Sequence, residues 1–202
     1  MGNLRSVQKA FEKVGANAII TNDKELIEKS SKIVLPGVGA FSDGMKNLRE
    51  LKLIPLLKQE VIQRKKPFLG ICLGMQLLAQ KSFEKQETQG LAWVDAEVVK
   101  FDFNDKEKQL KVPHVGWNNI SFKNNSKLFT DISDSSDFYF VHSYHFRTKE
   151  DIITSTTNYG FDFISSIQKN NIYATQFHPE KSQTVGLQMI KNFINLPSDI
   201  KC

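Results

Sequence analysis

At 202 residues, 40% of them hydrophobic and 24% charged, the chain is long enough to bury a sizeable core and lacks the charge excess of a disordered segment. No run approaches the roughly 20 apolar residues of a membrane span, and no leader pattern opens the chain. The formal net charge of +5 comes from dispersed Lys and Arg, and the densest cluster, Arg64-Lys65-Lys66, reads as a solvated helix end. A nucleic-acid surface is therefore not expected. The two cysteines, Cys72 and Cys202, make no disulfide framework, so a cytoplasmic location is expected.

In chain order, Leu4–Val14 has the spacing of an amphipathic helix closed by Gly15, and Asn17–Thr21 reads as a strand. A short helix over Lys24–Glu28, a strand over Lys32–Leu35 and one or two helices over Gly44–Arg64, broken near Pro55, follow. Pro67–Ile71 is an apolar strand leading into a helical pattern from Met75 to Ala79. Beyond it, Ala96–Phe103, Gln109–Val112, Asn119–Phe122, Phe138–His142 and Ile152–Asn158 read as shorter, partly antiparallel strands. Ile172–Phe177 is a further strand, and Val185–Leu196 a closing helix. The pattern predicts one α/β domain over residues 1–202, an open, mostly parallel sheet with helices on both faces and a small antiparallel section. Sites in such sheets lie at the carboxyl ends of the strands.

The segment between the Pro67–Ile71 strand and the helix after it carries the sharpest chemical signal. Gly70-Ile71-Cys72-Leu73-Gly74 sets a cysteine between glycines at a strand–turn–helix junction, the pattern of a nucleophile elbow. Glycines relieve crowding at the sharp turn, and the first N–H groups of the helix favour a thiolate. A cysteine alone would as readily be a core residue. Its candidate partner is His178, at the end of the Ile172–Phe177 strand, followed by Pro179 and Glu180. A thiol nucleophile needs an imidazole base, and the base needs a carboxylate to fix its tautomer. In an extended step through Pro179, His178 and Glu180 would point the same way. His114 and His145 have no metal-ligand spacing with each other or with Cys72, and no metal or other cofactor is expected.

These residues, together with Leu35-Pro36-Gly37-Val38-Gly39-Ala40-Phe41, Pro113-His114-Val115-Gly116-Trp117-Asn118, Tyr139-Phe140-Val141-His142-Ser143-Tyr144 and Gln176-Phe177-His178-Pro179-Glu180-Lys181-Ser182, resemble class I glutamine amidotransferases. Within that family they resemble most the glutaminase subunits that serve imidazole glycerol phosphate synthesis in histidine biosynthesis. The resemblance covers nearly the whole chain. It implies that Cys72, His178 and Glu180 hydrolyse L-glutamine to glutamate and ammonia. It further implies an oxyanion site from the Leu73 N–H and the Gly37-Val38-Gly39 turn, with Gln76 and the backbone of His142, Ser143 and Tyr144 holding the amino-acid end of glutamine. Asn3, Trp117, Asn118 and Lys181 would meet a (β/α)8-barrel synthase subunit that receives the ammonia in a heterodimer. One departure is that the buried first strand of the family, which precedes a Gly-Asn pair like Gly2-Asn3, is missing ahead of Met1. The same residues also fit a paralogue supplying ammonia for amidination of a surface-polysaccharide sugar. A non-catalytic interaction subunit and a free-standing cysteine hydrolase such as a γ-glutamyl peptidase fit them less well.

Overall fold

A computed structural model of the chain describes residues 3–103 and 110–197. The strands are β1 (Ile33–Gly37), β2 (Phe68–Cys72), β3 (Lys81–Ser82), β4 (Thr88–Gln89), β5 (Ala96–Lys100), β6 (His114–Asn119), β7 (Ser121–Phe122), β8 (Asp137–His142), β9 (Tyr144–Thr148), β10 (Ile153–Tyr159), β11 (Phe161–Lys169) and β12 (Ile172–Thr175). The helices are α1 (Leu4–Lys13), α2 (Lys24–Lys29), α3 (Phe41–Glu50), α4 (Ile54–Leu57), α5 (Leu73–Gln76) and α6 (Gln183–Ile194).

The fold is α/β, built on a mixed six-stranded sheet in the order β1-β2-β12-β11-β10-β7. β1, β2 and β12 run parallel, and the pairings from β12 through β11 and β10 to β7 are antiparallel. β2 is buried at every position, as its uninterrupted Phe-Leu-Gly-Ile-Cys run requires. Its alternation splits the core in two. Phe68 joins Phe41, Met45, Leu48, Leu57 and Val61 from α3, α4 and the segment after α4. Leu69 and Ile71 join Val7 and Phe11 of α1 and Met189, Ile190 and Phe193 of α6. Helices thus cover both faces, and both buried layers depend on the central strand that ends in Cys72. A second sheet, β4-β3-β5-β9, and a β6-β8 ribbon flank the first.

Several boundaries differ from the sequence expectation. Asn17–Thr21 joins no ladder, and Ile19 is 60% exposed. A strand exists only through its hydrogen-bonded neighbour, and β1, the sheet's edge, pairs with β2 alone. Pro55 sits in the first turn of α4, so the helical stretch breaks ahead of it, and α4 runs on as a wide π-type turn over Lys58–Gln63. Residues 110–112 form no strand, and Gln109 lies outside the described residues, as does Cys202. The antiparallel section is larger than expected, because β6, β9 and β11 were not anticipated. The polar residues Ser165, Ser166 and Gln168 interrupt the apolar signal of β11, although Ser165 and Ser166 are buried and hydrogen-bonded to Thr154 and Ser155 across the ladder.

Candidate active site

The parallel register fixes the site. β1 and β2 pair Gly37 with Cys72, which brings the Pro36-Gly37-Val38-Gly39 turn beside the sulfur. Cys72 ends β2 at φ 53°, ψ −106°, a conformation that non-glycine residues rarely adopt and that marks a tight strand-to-helix junction. The flanking glycines answer a packing demand. A Cβ on Gly74 would lie 1.7 Å from the Leu35 carbonyl oxygen, and one on Gly70 would lie 2.8 Å from the Gly74 oxygen. Helix α5 is a single turn, so what it offers the sulfur is its free first-turn N–H groups, beginning at Leu73, more than a helix dipole.

β12 runs parallel to β2, with Ala174 opposite Gly70 and Thr175 opposite Ile71, so the chain leaving it passes Cys72. That exit is pinned to β8: the His178 N–H donates to the Tyr139 carbonyl at 2.9 Å, and the Tyr139 N–H donates to Ser182 Oγ at 3.0 Å. After His178 the chain does not continue extended. Pro179–Lys181 forms a 3₁₀ turn, and that turn brings the Glu180 carboxylate back to the imidazole, with Nδ1 and Oε1 2.7 Å apart. His178 Nε2 is buried on the Cys72 side with no hydrogen bond at close geometry. Burial pushes His178 down, but the neighbouring Cys72 sulfur and the Glu180 carboxylate outweigh it and raise the imidazole to about 9. The structure thus brings Cys72, His178 and Glu180 together in the order sulfur, imidazole, carboxylate.

The other expected residues divide into two groups. Gln76 is buried and donates to the Tyr144 carbonyl at 2.9 Å and to Gln176 Oε1 at 3.0 Å. Cys72 Sγ lies 3.9 Å from the Val141 carbonyl, so His142, Ser143 and Tyr144 follow directly past the sulfur. Trp117 and Lys181 are exposed: the Trp117 ring stands edge-on to Tyr139, and Lys181 Nζ lies 5.4 Å from the Tyr139 ring centre. Trp117 is 48% exposed and, with Val115 two residues earlier on the same strand face, forms an apolar surface stripe. Asn118 is half-buried. Asn3, expected at an interface, turns its amide to Glu180, donating to the same Oε1 that His178 uses.

Sequence reasoning missed Gln176, whose amide Nε2 lies 3.6 Å from the sulfur and which is fully buried. The signal was available: Gln176 precedes His178 by two residues at a strand end, on the same side of the chain. Among the described residues, no group of three or more His, Cys, Asp or Glu is arranged to hold a metal ion.

The family description "Glutamine amidotransferase class-I" matches residues 2–196. The chain belongs to the class I glutamine amidotransferase family. Its similarity to the imidazole glycerol phosphate synthase subunit HisH 1 of Campylobacter jejuni (strain RM1221) is 49% identity over 196 residues, 96% of each chain. HisH of Geobacter metallireducens is 49% identical over 197 residues, covering 96% of this chain and 93% of that one. The fold also matches a crystal structure of a glutamine amidotransferase with a TM-score of 0.73, at 19% identity, over 96% of this chain and 93% of that one. Class I amidotransferases hydrolyse glutamine, and this member is an enzyme of that type.

Proposed function

We propose that this chain is the glutaminase subunit of an imidazole glycerol phosphate synthase, with Cys72, His178 and Glu180 as its catalytic residues. One observation carries the reading of the site: a cysteine in a strained elbow beside an imidazole whose other nitrogen lies 2.7 Å from a buried carboxylate. Identity of 49% across nearly the whole length to subunits of that synthase supports the pathway. With the proton held on His178, Cys72 Sγ attacks the glutamine side-chain amide. The Leu73 N–H and the Gly37-Val38-Gly39 turn face the oxyanion that forms. His178, oriented by Glu180, protonates the leaving ammonia and then activates water to release glutamate. Gln76 and the His142-Ser143-Tyr144 backbone hold the amino-acid end of the substrate. Val115, Trp117, Asn118 and Lys181 form the docking face for a (β/α)8-barrel synthase subunit that takes up the ammonia, in the cytoplasm. No helix among the described residues is long and apolar enough to cross a membrane.

Subunits named HisH 1 and HisH 2 of Methanococcus maripaludis are 48% and 47% identical to this chain, and both carry the name of that synthase. The test is glutamate release by the purified chain, alone and with the barrel subunit and its ribonucleotide ligand, with Cys72→Ala as the blank. Stimulation by that partner, abolished in the variant, is the expected result. Glutaminase that the partner leaves unstimulated would transfer the protein to the sugar-amidating reading.

A further inference from the structure

Three buried rings lie behind the site without a role in the hydrolysis as described: His114, His142 and His145, grouped around Phe101 with ring centres 6.4, 5.2 and 4.9 Å from it. Two of them are wired in series. Asn118 Nδ2 lies 3.3 Å from His114 Nε2, His114 Nδ1 lies 3.2 Å from His142 Nε2, and His142 Nδ1 lies 2.9 Å from the Tyr144 carbonyl. That carbonyl also accepts from Gln76, Gln76 donates to Gln176, and Gln176 reaches the Cys72 sulfur.

The donor pattern has one self-consistent solution. The Asn118 amide is oriented by its flanks: its oxygen accepts from the Asn119 N–H at 2.9 Å, and its nitrogen donates to the Asn158 carbonyl at 2.9 Å. It must therefore donate its second hydrogen to His114 Nε2. His114 must then carry its proton on Nδ1 and donate to His142 Nε2, and His142 must carry its own on Nδ1 and donate to Tyr144. Every other arrangement sets a donor against a donor or an acceptor against an acceptor in a buried site.

We propose that His142 and His114 are positioning residues for glutamine hydrolysis, fixing the Tyr144 carbonyl and through it the amides of Gln76 and Gln176 against Cys72. The inference rests on the glutaminase reading above. Each link fixes the next, so the half-buried end at Asn118, beside the exposed Trp117, is tied to the geometry at the sulfur.

The test is steady-state glutamate release in the presence of the synthase subunit, comparing His142→Asn with His142→Leu. An Asn amide nitrogen occupies nearly the place of His Nδ1 and keeps the donor to Tyr144, whereas Leu fills the apolar surroundings better but donates nothing. The expected result is a kcat about tenfold lower for His142→Leu and within about threefold of the parent for His142→Asn. Equal losses, or Asn worse than Leu, would show that the ring only packs the core. Nitrogen-15 resonances of the histidine rings in the parent protein decide the relay without any variant. Both rings should carry the proton on Nδ1 at neutral pH, and an Nε2-protonated ring at either position overturns the proposal. Absence of glutaminase in the parent protein would instead overturn the catalytic reading, leaving the tautomer measurement to judge the relay alone.

Discussion

Burial alone would depress the His178 imidazole, and only the Cys72 sulfur and the Glu180 carboxylate hold it at about 9. A histidine raised above its ordinary 6.5 adds stability that is fully present below about 6.5 and is lost as pH rises through about 9. The same titration sets the alkaline limb of the reaction, since the leaving ammonia takes its proton from this ring. Glu180→Gln removes one of the supporting charges, so the limb of the pH–rate profile moves to lower pH and kcat falls roughly 10²-fold. An unmoved limb would mean that another group titrates there. The neighbourhood of Glu180 was only partly legible in the sequence. His-Pro-Glu marks a base and its carboxylate, but the extended step predicted for it is a 3₁₀ turn, and the amide of Asn3 arrives at the carboxylate from 177 residues away in the chain.

At the scale of elements, a buried ion pair ties α2 to the segment after α4. Lys66 Nζ donates to the carbonyls of Ile27 and Glu28, each at 2.9 Å, and lies 2.9 Å from Glu60 Oε2, with both charged side chains essentially inaccessible to water. Two of its three hydrogens serve the carbonyls, and the contact with the carboxylate lies off hydrogen-bond alignment, so it is chiefly one of charge. Lys66→Met leaves Glu60 buried beside only the half-exposed Arg64, so the variant should lose about 3–5 kcal/mol of stability. A urea unfolding midpoint measures it, and an unchanged midpoint would mean that Arg64 alone neutralises Glu60. In the sequence Arg64-Lys65-Lys66 reads as a solvated helix end. Arg64 and Lys65 are exposed, but Lys66 turns inward, because the carbonyls of Ile27 and Glu28 at the end of α2 lie within its reach.

Across the whole molecule, acid stability follows from the buried rings. Burial lowers His114 to about 4 and His142 to about 3, and lowers His145 in the same direction. The charged and titratable groups around them are Arg147 and His178, both of which disfavour further positive charge. These depressed bases bind fewer protons folded than unfolded. Their contribution is therefore complete above about 6.5 and is lost as pH falls toward about 4 and then 3. Urea midpoints at neutral pH and at mildly acid pH should show the loss, and His114→Phe, which keeps the ring stacked on Phe140 and Tyr159, should reduce it. On the outer surface, Trp117→Ala should weaken binding of the synthase subunit by more than tenfold in a titration of its stimulation. Unchanged affinity would remove the β6 stripe from the docking face.

The chemistry is legible from residue types alone. Cysteine, imidazole and carboxylate are named by the sequence, and the glycines at 70 and 74 announce a close crossing, since a Cβ on Gly74 would stand 1.7 Å from the Leu35 carbonyl oxygen. The parallel strand β2 was readable because a strand buried on both faces must be apolar throughout. Which polar groups meet depends on the assembled fold. Gln76, Gln176, Asn3 and the His114–His142 pair are ordinary residues in isolation, and their roles come from partners 28 to 177 positions distant. Hydrogen bonds across such separations leave no local periodicity, whereas burial of a strand or a helix face does. For the same reason Asn17–Thr21 could look like a strand and yet pair with nothing: strand propensity is local, but a ladder needs a neighbour.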